Sequence, residues 1–152
     1  MLSDPVKEGT PHSLYVFLTH EMVHAALATV PGQPLPCWLE EGLAVHMSQN
    51  LPGNYRRALD DALRERQTLP LGELEVPFTR LPRAAIPLAY AQGASVVDFL
   101  VSRWGMERLR TLIPKAKRRG FVAMLKGQSL TVSLLDQDWR RWAGRQRRGS
   151  GG

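Results

Sequence analysis

Leu18-Thr19-His20-Glu21-Met22-Val23-His24-Ala25 decides how this chain is read. It contains H-E-x-x-H inside an apolar stretch with no strand alternation. A helix turns once every 3.6 residues or so, so positions i and i+4 project from one face. His20 and His24 can therefore hold one zinc ion between them. Glu21 lies about 100° round the helix from His20. That places it beside the metal, where a general base for an activated water belongs. The helix starts well at Thr10-Pro11, with Thr10 as N-cap and proline at the first helical position. It is predicted to run to about Thr29, where Pro31-Gly32 stops it. Leu14, Val16, Phe17, Leu18, Met22, Val23, Ala26 and Leu27 surround much of its circumference, which predicts a buried helix. Histidines and a glutamate in such a helix need a partner, and a metal is the simplest one.

The remaining pattern is also helical. Pro36-Cys37 opens a second helix, Trp38 to about Gln49, closed by Asn50-Leu51-Pro52-Gly53. A more polar helix is expected over about Tyr55–Gln67. Residues 68–87 read as loop, with Pro70, Pro77, Pro82 and Pro87 and one short turn near Leu71–Leu74. A strong helix follows over Leu88–Arg103, ended by Gly105. Met106–Lys117 is expected to be helical but kinked or broken by Pro114. Phe121–Leu125 is too short to settle by periodicity. Leu134–Gly144 is the last helix, with Trp139 and Trp142 inward. No internal repeat and no convincing strand pair is visible.

The chain has 152 residues, which suits one domain over residues 1–148. Residues 149–152, Gly-Ser-Gly-Gly, read as a flexible tail or an artificial extension. Hydrophobic residues at 43% and charged residues at 22% predict a globular, soluble chain. No apolar run approaches the roughly 20 residues of a membrane helix. The first nine residues lack the basic and apolar regions of a signal peptide. The compartment stays open: cytoplasmic, or a chain beginning after a removed segment. Cys37 is the only cysteine, so no internal disulfide and no cysteine-based zinc cluster can form. It reads as a small apolar residue near a helix start.

The net charge of +6 is concentrated late, at Lys115, Lys117, Arg118, Arg119, Arg140, Arg141, Arg145, Arg147 and Arg148. A basic region can bind nucleic acid. No aromatic-studded sheet pattern, zinc finger or RNA-binding signature accompanies it, and a solvated helix face is the favoured reading.

A catalytic zinc commonly has three protein ligands and a water. The second helix carries two candidate carboxylates, Glu40 and Glu41, in Trp38-Leu39-Glu40-Glu41-Gly42-Leu43-Ala44. Together with the upstream H-E-x-x-H, this W-L-x-E-G-L-A resembles the gluzincin zinc metallopeptidases, specifically the small peptidase MA-like domains. Tyr90-Ala91-Gln92 leading into an apolar helix is similar to the family's Y-x-Q segment. Arg103-Trp104-Gly105-Met106-Glu107-Arg108-Leu109 is similar to its R-x-G-x-E-x-L segment. Asp138-Trp139-Arg140-Arg141-Trp142 resembles its closing helix. The likeness covers about Leu14 to Trp142.

The resemblance implies a mainly α, zincin-like helical domain with little or no β-sheet, in which the H-E-x-x-H helix packs on the helix of the glutamate ligand. It implies zinc-dependent peptide hydrolysis, with one Zn2+ held by His20, His24 and Glu41 and with Glu21 as base. The glycine after the ligand would let the two helices approach closely. A peptide or protein is the implied substrate. A zinc-binding scaffold or partner-recognition domain of the same fold is the alternative, and a basic nucleic-acid binder the least favoured.

Related gluzincins stabilise the oxyanion with a tyrosine or histidine, which the resemblance places on Tyr90. A half-buried tyrosine with its hydroxyl at the edge of the core reads equally well there. Tyr55 and His12 are weaker candidates for the same part. A metzincin pattern is excluded because its third histidine would fall on Val30. His46 reads as a rim histidine.

The chain also departs from the pattern. Larger gluzincins place a sheet before the zinc helix, and only about ten residues precede it here. The expectation is a fragment, or a minimal helical form with an open cleft. Some gluzincins orient a ligand histidine with an Asp four residues after the glutamate; here that position is Val45. The outer support for the ligands is therefore expected from Asp98 or from backbone carbonyls.

Overall fold

A computed structural model describes residues 11–149 of the chain. Seven α-helices and three short 3-10 turns follow one another, with no strand among the described residues. They are α1 (Pro11–Thr29), α2 (Cys37–Ser48), α3 (Gly53–Glu65), α4 (Ile86–Trp104), α5 (Met106–Arg119), α6 (Phe121–Lys126) and α7 (Val132–Gly149). The turns, Leu71–Leu74, Phe78–Arg80 and Arg83–Ala85, fill the proline-rich stretch before α4. Each begins directly after a proline, whose fixed φ starts a turn but whose missing N–H cannot extend a ladder.

The architecture is mainly α, as the resemblance implied. α5 continues through Pro114, so of the expected kink or break the break does not occur. α7 extends both ways beyond the expected Leu134–Gly144 and takes in Gly149. Residues 150–152 of the expected tail, and the N-cap assigned to Thr10, lie outside the described residues.

α4 is the central element. α2 makes the most extensive contact with it, and α3, α5 and α7 pack on it as well. Ala89, Ala91, Val96, Val97 and Leu100 of α4 are buried. The segment Arg83–Trp104 is long and apolar enough to cross a membrane, which the sequence reading missed, but half of its most apolar stretch is buried inside the fold. The core helix of a globular fold shows the same composition.

α2 and α4 cross at glycines. A Cβ on Gly42 would collide with the Gly93 carbonyl oxygen, and one on Gly93 would lie 2.9 Å from the Trp38 carbonyl oxygen. The glycine after Glu41 thus admits α4, not the H-E-x-x-H helix as expected. Trp38 is fully buried and meets Phe121 edge-on at 5.4 Å between ring centroids. Trp139 is also fully buried and donates its indole N–H to Ser95 Oγ, while Trp142 packs on Phe99.

α1 does not fit the expectation of a helix buried all round. It packs chiefly on α2. Leu27 is its only fully buried side chain among the described residues. Leu14, Tyr15, Phe17, Leu18 and Met22 are between 48% and 68% exposed. An apolar sequence says that a surface favours burial, and it does not say that the chain supplies a cover.

Candidate metal centre

α1 and α2 bring His20, His24 and Glu41 to one point. His20 Nε2 and His24 Nε2 are 3.2 Å apart. Glu41 Oε2 is 3.4 Å from His20 Nε2 and 3.5 Å from His24 Nε2. The three side chains are between a fifth and a quarter exposed, so the site opens to solvent on one side. The helical i, i+4 spacing brings the two imidazoles together, with ring centroids 5.0 Å apart. Glu41 arrives from the first turns of α2, and Gly42, about 100° further round that helix, is pressed against α4. Among the described residues this is the group of histidines and carboxylates that could hold one metal ion.

The centre is partly exposed rather than enclosed. The cost of burying the histidines is smaller than an enclosed helix would impose, so the case for a metal rests on the meeting of three donor atoms.

Glu21 is exposed on α1, next to His20 in the chain. Tyr90 stands on α4 and is half-buried. Its ring packs edge-on to Phe78 at 5.0 Å and lies 6.1 Å from the Tyr55 ring. Burial pushes its phenol above the ordinary range, and the nearby Glu41 carboxylate adds to the shift. The phenol therefore keeps its proton across neutral pH and remains a hydrogen-bond donor. Burial likewise raises the Cys37 thiol, a hydrogen bond with the Phe78 backbone opposes this, and Glu41 and Glu40 raise it further. Cys37, one helical turn before Glu41, thus keeps its proton as a neutral thiol. His12 is exposed on the first turn of α1.

Asp98, expected to support a ligand of the centre, belongs elsewhere. His46 Nδ1 lies 2.6 Å from Asp98 Oδ1, joining α2 to α4. Asp98 is therefore partnered with His46 and does not support a ligand histidine. Glu40, weighed only as a rival ligand, has its Oε1 3.4 Å from His24 Nδ1, on the far side of that ring. The signal was present in the doublet Glu40-Glu41, but reading it requires the orientation of the His24 ring. Gln92, fully buried, binds both backbone groups of Leu69, donating from Nε2 at 2.6 Å and accepting at Oε1 at 3.0 Å. It fastens the stretch after α3 to the same turn of α4 that carries Tyr90.

The family model of the peptidase MA superfamily matches residues 9–144. The chain belongs to that superfamily, and the helical fold and the H-E-x-x-H helix packed on the W-L-x-E-G helix are in keeping with it. No curated protein and no solved structure matches the chain.

Proposed function

We propose that this protein is a zinc-dependent peptidase that hydrolyses peptide bonds in a peptide or protein substrate. One observation carries the reading: His20 Nε2, His24 Nε2 and Glu41 Oε2 lie 3.2–3.5 Å from one another. Atoms bound tetrahedrally to zinc at about 2.0–2.1 Å are separated by about 3.3–3.4 Å. The two imidazoles and one carboxylate are thus spaced as three ligands of one such ion would be. Two histidines and one glutamate are also a donor set that catalytic zinc sites use.

Bound there, zinc supplies a Lewis acid that lowers the pKa of water and polarises a carbonyl. The chain's own residues do the rest. Glu21 accepts the water proton and returns it to the leaving amine. Tyr90 donates its phenolic hydrogen bond to the oxygen on which charge develops. A Glu21→Gln variant is expected to keep its zinc and to lose cleavage of a peptide library by at least about a hundredfold. Undiminished cleavage by that variant would sink the mechanism.

The second reading is a zinc-holding domain of the same superfamily that recognises a partner without cutting it. The exposed apolar face of α1 favours it, together with the lack of any strand among the described residues that could pair with an extended peptide. Retained zinc with no Glu21-dependent cleavage would select it.

A further inference from the structure

We propose that Glu40 is a positioning residue for the metal centre: it holds His24 from behind, at the imidazole nitrogen turned away from Glu41. The inference rests on the reading of His20, His24 and Glu41 as a zinc site. His24 Nε2 faces the cradle, 3.2 Å from His20 Nε2 and 3.5 Å from Glu41 Oε2. Its other nitrogen, Nδ1, faces Glu40 Oε1 at 3.4 Å. A carboxylate accepts hydrogen bonds and donates none, so a neutral imidazole meets Glu40 best with its proton on Nδ1. That tautomer leaves the Nε2 lone pair directed into the cradle, the form a metal ligand requires.

The doublet can do this because successive residues on a helix diverge by about 100°. Glu41 reaches the metal side of the ring while Glu40 passes behind it. Two other side-chain positions offer His24 no support. Val45 is apolar and buried, 5% exposed, and Asp98 is taken by His46. Glu40 is itself about one-third exposed, so it adds little to the core, and its removal is expected to leave the fold intact.

The test uses the full chain. Zinc affinity is measured by chelator competition for the wild type, Glu40→Ala, Glu40→Gln and Glu41→Ala, with circular dichroism to check the fold. Glu40→Ala is expected to bind zinc about 10–100-fold more weakly, the usual cost of losing a partner behind a ligand. Glu40→Gln keeps a neutral acceptor and is expected to lose less. Imidazole 15N shifts of the metal-free protein, at a pH where the ring is neutral, should report His24 protonated on Nδ1 in the wild type and a mixture of tautomers in Glu40→Ala. Wild-type affinity and an unchanged tautomer in Glu40→Ala, with affinity lost in Glu41→Ala, would overturn the role of Glu40 alone. Equal zinc binding by wild type and Glu41→Ala would instead overturn the site itself.

Discussion

Tyr90 is the residue whose part in the chemistry is easiest to separate from its part in the fold. Its ring packs against Phe78 and Tyr55, and its hydroxyl adds nothing to those ring contacts. Tyr90→Phe keeps the ring and removes only the donor. If the phenol stabilises developing charge, kcat should fall about 10²–10³-fold with little change in KM, as when one oxyanion donor is removed elsewhere. A Tyr90→Phe enzyme with an unaltered kcat would leave the residue as core alone, the other reading its sequence position allowed. At this scale the pairing of His20 with His24 was legible from i, i+4 periodicity, whereas Glu41 was preferred to Glu40 only through the resemblance; the structure brings the three together. The contact of Glu40 with His24 was not legible. A 100° offset removes it from the metal face, and only the ring orientation of His24 shows that the residue has a second target. Asp98 was misplaced for the opposite reason: a lone acid on an apolar helix has no local pattern that names its partner, and His46 is far from it in sequence.

At the scale of elements, the crossing of α2 and α4 fixes where Glu41 points, and two opposing terms can be weighed there. Exchanging glycine for alanine inside a helix gains roughly 0.5–1 kcal/mol from backbone entropy. At Gly42 the added methyl meets backbone and the Val97 side chain at 2.7 Å, so two helices must part. Overpacking of that kind costs about 1–3 kcal/mol. The collision outweighs the propensity, and Gly42→Ala is expected to lower Tm by several degrees. Gly144 on α7 has nothing within 4 Å of such a methyl. Gly144→Ala should therefore raise Tm slightly. Thermal unfolding of the two variants side by side checks both signs; a stabilised Gly42→Ala would mean that the crossing is looser than described. Both helices were predictable from capping prolines and apolar runs. Their crossing partner was not, since the glycine in W-L-x-E-G promises a close approach without saying to which helix. The face of α1 was misjudged by the same limit: periodicity measures how apolar a helix is, and the neighbours decide how much of it is covered.

Across the whole molecule, the candidate metal centre joins α2, which packs on the central helix α4, to α1, most of whose described side chains are exposed. α2 is locked between α1 and α4, and the turn from α1 to α2 is tied to α5. Gln33 donates its N–H to the Lys117 carbonyl oxygen at 2.7 Å, and Lys117 Nζ reaches the Leu27 carbonyl oxygen at 2.7 Å. Gly32 lies against the same Lys117 backbone with φ at +133°, a conformation suited to glycine. These ties hold the C-terminal end of α1. Towards its start, Leu14, Tyr15, Phe17 and Leu18 are exposed, and the metal residues lie between the two ends. An ion shared by His20, His24 and Glu41 would staple the middle of α1 to α2. A ligand that binds only the folded form stabilises it by RT ln(1 + [L]/Kd), about 4.1 kcal/mol at a thousandfold excess over Kd. Part of that gain should appear as suppressed local opening. Zinc is therefore expected to raise Tm and to slow amide hydrogen exchange most within Pro11–Thr29, with far smaller effects in α4 and α7, where burial already gives protection. Glu41→Ala should lose both effects together, because it severs the α2 end of the staple. Zinc protection spread evenly over all the helices, or retained by Glu41→Ala, would show that the ion binds somewhere other than between α1 and α2.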